Sequence, residues 1–96
     1  MADFYARRDV QSITAFSDPD AFYEFKFEAY EQLVINESDT IVEVSFDGIN
    51  VHARMLPSGP TSAINWTAHI RMKMWVRRAV GVGGGTKFVQ VIANTR

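Results

Sequence analysis

The sequence contains no cysteine, which excludes a disulfide scaffold, a thiolate metal site and a thiol nucleophile. No apolar run approaches the roughly 18 residues of a membrane span, and the first residues lack the apolar core of a signal peptide. We therefore expect cytoplasmic synthesis and no membrane partner. With 96 residues and a hydrophobic fraction of 47%, the chain has the size and composition of one folded domain.

The second half of the chain also lacks acidic residues altogether. All 11 acids lie between Asp3 and Asp47. The first 48 residues combine them with three bases, a net charge of −8, whereas the last 48 carry seven bases, a net charge of +7. The overall charge of −1 therefore conceals a divided chain, and this division is the feature with the clearest bearing on partners. Strands from the two halves can interleave, so we expect part of it to be neutralised inside the fold.

Alternation of apolar and polar residues is the dominant pattern, and it predicts strands. We expect an all-β fold, a single antiparallel β-sandwich or small barrel of about seven strands. Residues 1–20 are expected to form an N-terminal arm or edge strand, and residues 21–96 the β-sandwich domain. The strands within that domain are predicted at 23–29, 32–35, 40–56 (a hairpin), 62–66, 69–78 and 86–93. In the strand 69–78, one face is expected to carry Ile70, Met72, Met74 and Val76.

The hairpin prediction comes from Asp47-Gly48, a dipeptide favoured in two-residue turns because both positions need positive φ. Such a turn pairs apolar residues on one face: Phe46 with Ile49, Val44 with Val51 and Val42 with Ala53. It also places Glu43 opposite His52. This pair could form a metal half-site or an acid–base pair, but a cross-strand ion pair on a solvated face is the interpretation we favour.

The remaining local motifs indicate turns and not chemistry. Pro57-Ser58-Gly59-Pro60 is expected to end a strand, because proline cannot donate to a ladder. The glycine run Gly81–Gly85 is followed by Thr86-Lys87, which is the wrong order for a phosphate loop, so we expect a flexible hairpin loop. No catalytic, cofactor-binding or metal-binding residue is predicted, and we expect a protein that is not an enzyme, with no cofactor and no small-molecule substrate.

A basic face is predicted on the strand 69–78, where Arg71, Lys73 and Arg77 alternate with Trp75. Three interpretations stay open. The cations can be solvated or paired within the fold, they can bind an acidic patch of another protein, or they can bind single-stranded nucleic acid, with charge for phosphate and a ring for stacking. We favour them in that order. Phe4 and Tyr5 are predicted to contact a neighbouring subunit from the N-terminal arm, since aromatics are enriched at interfaces.

Three stretches of the chain resemble small β-sandwich virion proteins of tailed bacteriophages, of the decoration, capsid-associated or tail-associated kind. They are Ile41–Gly48 (IVEVSFDG), Val51–Trp66 (VHARMLPSGPTSAINW) and Met74–Ala93 (MWVRRAVGVGGGTKFVQVIA). The resemblance implies a structural role in the virion, in contact with copies of itself and with other virion proteins. It implies no catalytic residue. The alternative is a small single-stranded nucleic-acid-binding β-barrel that uses the basic face.

Overall fold

The computed structural model describes residues 4–56, 62–79 and 88–95, and these form a six-stranded antiparallel sheet. The all-β antiparallel class is therefore confirmed. The strands are β1 (Phe4–Asp9), β2 (Phe22–Asn36), β3 (Val42–Ser45), β4 (Ala53–Met55), β5 (Ser62–Arg78) and β6 (Phe88–Asn94). Their order across the sheet is β1-β6-β2-β5-β3-β4, and Pro19–Ala21 adds one turn of 3₁₀ helix before β2. In this part of the chain, no helix combines the length and apolarity needed to span a bilayer. The predicted turn at 57–60 and the predicted glycine loop at 81–85 lie outside the described residues.

The long strands β2 and β5 each replace two predicted strands, because irregularities in their pairing bend them without ending them. Phe22 pairs with Trp75 at one end of the pair, and Asn36 with Ser62 at the other. Between these regular stretches the register shifts on both sides of Ala29, which pairs with Arg71, and Lys26 takes a φ of 65°. Bulges of this kind bend a strand and increase its twist. The alternation in the sequence is interrupted there, although the strands continue.

The bend divides the sheet into two halves that face each other. The β3–β4 half contains β3, β4, residues 22–24 of β2 and residues 73–78 of β5. The β1–β6 half contains β1, β6, residues 31–36 of β2 and residues 62–67 of β5. Phe4 of β1 packs edge-on against Phe25 of β2, with 5.1 Å between ring centroids, although β6 separates these strands in the sheet. The sheet therefore curls over itself and encloses a core.

The core consists of the alternating side chains that point inward from the two halves. Burying each large aliphatic or aromatic side chain contributes about 1.5–3 kcal/mol. The connection between β1 and β2 closes one end, and Ile13 within it accepts a backbone hydrogen bond from Arg78 at 2.9 Å. The buried core residues of the strands include Tyr23, Phe25, Val34, Val42, Val44, Met74, Val76, Val89 and Val91.

A buried polar cluster joins the two halves at the end of β2. The Asn36 side-chain amide donates to the backbone oxygens of Thr40 at 3.0 Å and Met55 at 3.3 Å. Its oxygen accepts from the backbone and hydroxyl of Ser38. Asn36, Ser38 and Thr40 are all inaccessible to solvent. Because buried polar groups are costly unless they are hydrogen-bonded, these contacts fix the turn between β2 and β3 and attach it to β4.

Strands β3 and β4 pair as a hairpin, but the predicted two-residue turn is wrong. Val42 pairs with Met55 and Val44 with Ala53, a shift of two residues from the predicted register. The reason is the Asp47 carboxylate, which accepts hydrogen bonds from the backbone amides of Ile49 and Asn50, both at 2.8 Å. These side-chain contacts replace the ladder near the turn and lengthen the loop. A shift of two preserves the faces, so the valines still point inward.

Candidate interaction surface around Arg71

The basic residues of β5 do not form one continuous basic face. Arg77 donates through Nε to Glu43 Oε1 at 2.9 Å, and its guanidinium lies 4.0 Å from the centroid of the Phe16 ring. Arg54 approaches the same carboxylate, with Nε 3.4 Å from Glu43 Oε2. The predicted pairing of Glu43 with His52 is wrong, because the two-residue register shift places Arg54 opposite Glu43 instead. One acid of the first half of the chain is thus shared by two bases of the second.

Trp75 is packed within the fold. Its ring stacks on Phe22, with 5.0 Å between centroids and 30° between planes. Gly48 lies against the indole with a φ of +79°, and a Cβ added to it would be 3.0 Å from Trp75 Cε2. Lys73 is exposed, and its ammonium group lies 5.6 Å from the Trp75 centroid. The loop after β3 therefore covers part of the ring that was predicted to face a partner.

Arg71 has a different environment from Arg77. Its guanidinium lies 3.7 Å from the centroid of Phe46, and Nη1 donates to Gln32 Oε1 at 2.8 Å. Gln32 is fully buried and donates in turn to the backbone oxygen of Ala29 at 2.7 Å. Among the residues that the structure describes, no carboxylate forms an ion pair with Arg71. Desolvation lowers the pKa of Arg71, since burial disfavours the charged form.

Phe46, the ring in contact with the Arg71 guanidinium, packs against two further rings. Phe46 packs edge-on against Trp66, with 5.1 Å between centroids and 86° between planes. His52 lies on the same ring, 5.4 Å from it, and its Nδ1 accepts a 3.0 Å hydrogen bond from the Phe46 amide. A loop contact thus places a phenylalanine from the end of β3 beneath an arginine of β5. No local pattern in the sequence predicts the contact between Phe46 and Arg71, because these residues are far apart in the chain.

Exposed apolar side chains lie on both sides of Arg71 in sequence. Ile70 is 64% exposed and Met72 is 52% exposed. These two were predicted to share a face with Met74 and Val76, and Met74 and Val76 are fully buried whereas Ile70 and Met72 are not. The register shift at Arg71 breaks the alternation just there. We use the name Arg71 patch for Phe46, His52, Trp66, Ile70, Arg71 and Met72.

The predicted contact residues of the N-terminal segment lie on β1, the strand at one edge of the described sheet. Phe4 is half-buried and packs on Phe25, so it contributes to the core. Tyr5 is 56% exposed. Of the two, Tyr5 has the accessibility that contact with another subunit requires.

An acidic end lies around the start of β2, and we define it by Asp9, Asp18 and Asp20. A cleft of about 340 Å³ opens there, lined by Asp9 and Asp20 together with Arg8, Ser12 and Ile13. Arg8 Nη1 donates to the backbone oxygens of Asp20 at 2.9 Å and Phe22 at 2.7 Å. The Asp18 carboxylate accepts from the Asp20 amide at 2.9 Å. The Asp20 carboxylate has no hydrogen-bond or ion-pair partner within the described part of the chain.

A second charged cluster, which the sequence did not predict, joins β1 and β6 to the residue that follows β2. Arg7 donates through Nε to Glu37 Oε2 at 2.9 Å, and Gln90 donates to the same oxygen at 2.7 Å. The Arg7 guanidinium also lies 4.0 Å from the centroid of Phe88. These hydrogen bonds, Arg7 first, lower the pKa of Glu37. Here too an acid of the first half of the chain is neutralised within the fold.

No group of three or more His, Asp or Glu side chains is placed to hold a metal ion in residues 4–56, 62–79 and 88–95. Comparison with protein-family models, with curated proteins and with solved structures finds no match for this chain. Function is therefore inferred from the chain's own residues and contacts.

Proposed function

We propose that this chain is a non-enzymatic structural subunit of a tailed-phage particle, which packs against copies of itself and against capsid or tail proteins. The observation that carries the proposal is Arg71 itself, which has no carboxylate partner among the described residues, together with the exposed apolar side chains of Ile70 and Met72 next to it in β5. Single exposed apolar residues are ordinary on protein surfaces, whereas a contiguous group marks a contact surface. Arginine and aromatic residues are enriched among the residues that dominate binding energy at interfaces.

Two further features support the proposal. The all-β antiparallel fold is the class that the resemblance of residues 41–93 to virion proteins implies. In addition, β1, which carries the exposed Tyr5, is an outermost strand of the described sheet. Outer strands present backbone groups that another chain can pair with, which is a common route to assembly between β-domains.

The nucleic-acid alternative requires accessible cations and an accessible stacking ring on β5. Arg77 is bound by Glu43, Arg71 donates to Gln32 and Trp75 packs on Phe22, so three of its four predicted groups have partners inside the fold. This favours contact with protein. The alternative predicts salt-sensitive binding to a single-stranded oligonucleotide that is lost on Trp75→Ala, and absence of binding at low salt would remove it.

The proposal is tested by light scattering on the purified chain and by mass spectrometry of phage particles produced from the genome that encodes it. We expect a homo-oligomer at high protein concentration and the chain among the particle proteins. Neighbouring capsid, portal or tail genes would support the same class. A chain that stays monomeric at high concentration and is absent from the particles would overturn the proposal.

A further inference from the structure

We infer that the Arg71 patch binds the acidic end of a second copy of this chain, in a head-to-tail contact that sets Asp20 of one copy against Arg71 of the next. The inference rests on the proposed function, since it presupposes a chain that assembles with itself. It adds the surface, the mode of contact and the pair of charges.

The first argument is the unmatched charge of Arg71. Its guanidinium lies on the Phe46 ring and donates through Nη1 to the Gln32 side-chain oxygen. No carboxylate of the described residues pairs with it. Arg77 has the same kind of ring contact and does have a carboxylate, that of Glu43. A partly desolvated cation gains from an anion brought to it, and the gain exceeds that of a fully solvated pair. The Arg71 patch is therefore built for an acidic partner.

The second argument is the exposed apolar surface of the strand and of the loop that place that charge. Ile70 and Met72 are both more than half exposed, and they flank Arg71 in β5. The loop that carries Phe46 adds Ile49, which is 80% exposed. A partner that covers these apolar side chains as well as Arg71 removes water from both, and the charged contact is then strengthened.

The third argument identifies the acidic partner as the same chain. Asp20 is exposed, and its carboxylate has no partner among the described residues, although its backbone oxygen accepts from Arg8. Asp9 and Asp18 lie at the same end and add negative charge. The complementary surfaces are thus both present on one molecule.

The two surfaces are too far apart to meet within one copy. Phe22, two residues after Asp20, pairs with Trp75. Arg71 pairs with Ala29, which lies further along β2. From Trp75 to Arg71, four strand residues span roughly 13 Å at about 3.3 Å each. A contact between Asp20 and Arg71 must therefore join two copies. Because each copy keeps one unused surface of each kind, the contact repeats into a closed ring or a filament.

Sedimentation velocity of the full chain over a concentration series tests the exposed apolar surface. The double variant Ile70→Ser with Met72→Ser is expected to raise the dissociation constant about tenfold or more, because it removes exposed apolar surface next to Arg71 in β5. Leu56→Ser is the matched control, since Leu56 is 67% exposed but follows β4, outside the patch. If the control weakens assembly as much as the double variant, the Arg71 patch is not the contact surface.

A double-mutant cycle tests the charge pair. Arg71→Gln and Asp20→Asn are each expected to raise the dissociation constant about fivefold, and the combined variant no further, because either change removes the same interaction. Glu28→Gln removes another exposed carboxylate of this chain and is expected to change nothing. Thermal unfolding of each variant verifies that it folds. Independent, additive effects of the two changes would refute the pairing.

The results separate this inference from the proposed function. A chain that is monomeric at every concentration overturns both. A chain that assembles as before after the patch and charge changes keeps the proposed function and overturns the head-to-tail contact. Binding of the monomer to a single-stranded oligonucleotide through Arg71, with no self-association, also overturns it and favours the nucleic-acid alternative.

Discussion

The Arg77 site and the Arg71 site, six residues apart on one strand, use the same side chain in contrasting ways. Each guanidinium lies over a phenylalanine ring, Phe16 in one case and Phe46 in the other. Arg77 also binds the carboxylate of Glu43, whereas Arg71 donates to the neutral amide of Gln32 and pairs with no carboxylate of the described residues. The first site is complete within the chain. The second site contains a charge that is still to be matched, and this difference locates the surface open to a partner.

The comparison also explains what becomes of the charge division along the sequence. Arginines of the described chain stack repeatedly on aromatic rings at 3.7–4.0 Å: Arg7 on Phe88, Arg8 on Tyr23, Arg71 on Phe46 and Arg77 on Phe16. Such contacts are worth about 0.5–1 kcal/mol at exposed sites and more when desolvated. Most of these cations also donate to carboxylate or backbone oxygens. Most of these arginines are therefore held by oxygens of the same chain. Arg71 differs, because the oxygen that it binds belongs to the neutral side-chain amide of Gln32.

Glu43→Gln converts the Arg77 site into one that resembles the Arg71 site, and it is expected to have the largest effect. It leaves Arg77 and Arg54 without their shared carboxylate, whose side chain is only 15% exposed. We expect a loss of about 1–3 kcal/mol in the free energy of unfolding, measured with urea. Glu24→Gln, at an exposed carboxylate, is the control and should stay within about 0.5 kcal/mol. Equal stabilities would show that the Arg77 site contributes nothing.

Gly48→Ala tests the loop that separates the two sites. Alanine is strained at a φ of +79°, and its Cβ would lie 3.0 Å from the Trp75 ring. We expect a loss of about 1–2 kcal/mol in the free energy of unfolding. Asn50→Ala, in the same loop, removes one side-chain hydrogen bond to Asp47 and is the milder comparison. If Gly48→Ala were as mild as Asn50→Ala, the tight contact with Trp75 would be refuted.

The parts of these sites that alternation encodes were predictable, and the parts that depend on irregular backbone were not. Val42, Val44, Met74 and Val76 are buried, as a period of two predicts. The hairpin register failed because the Asp47 side chain takes over backbone amides, a local competition that the Asp-Gly signal does not reveal. The contacts of Arg71 and Arg77 join residues far apart in sequence, and no local pattern specifies them.

Tyr23→Phe probes the Arg8 stack, in which the arginine donates to backbone oxygens instead of a carboxylate. The Tyr23 hydroxyl is buried and, within the described residues, has no hydrogen-bond partner. Removing it is expected to stabilise the fold by about 1 kcal/mol. Burial raises the pKa of Tyr23 to about 12, above its ordinary value of 10.0. Because the unfolded state loses this proton at a lower pH than the folded state, the free energy of unfolding falls as the pH rises from 10 towards 12. Tyr23→Phe should reduce this fall, since it removes the titrating group.

The control for this prediction is Tyr5→Phe, at an exposed tyrosine, which should leave both the stability and its alkaline dependence almost unchanged. A destabilised Tyr23→Phe variant would mean that the hydroxyl has a partner in solution.

Arg7→Gln addresses the charge cluster of Arg7, Glu37 and Gln90, which is complete within the chain like the Arg77 site. Hydrogen bonds from Arg7 and Gln90 lower the pKa of Glu37 below its ordinary value of 4.5. The ionised Glu37 carboxylate therefore stabilises the folded protein above the ordinary pKa of 4.5. This stabilisation is lost as the pH falls and the carboxylate is protonated. We therefore expect Arg7→Gln to flatten the acid dependence of the free energy of unfolding. A smaller dependence should remain, because backbone hydrogen bonds also lower the pKa of Asp47. An unchanged acid dependence would exclude a contribution from the Arg7–Glu37 pair.

Arg71→Met is expected to have the smallest effect on stability, although it removes a guanidinium that is in closer contact with its ring than that of Arg77. The change loses a cation–ring contact and a hydrogen bond to Gln32. It also abolishes the desolvation of a charge that no described carboxylate pairs with, and it places a thioether on Phe46. These terms oppose one another, so we expect urea unfolding to shift by no more than about 1 kcal/mol. Arg77→Met should cost more, because it leaves the Glu43 carboxylate with Arg54 alone. If the two variants were equally destabilised, the guanidinium of Arg71 would be as fully matched inside the chain as that of Arg77, and the unmatched charge that distinguishes the two sites would not exist.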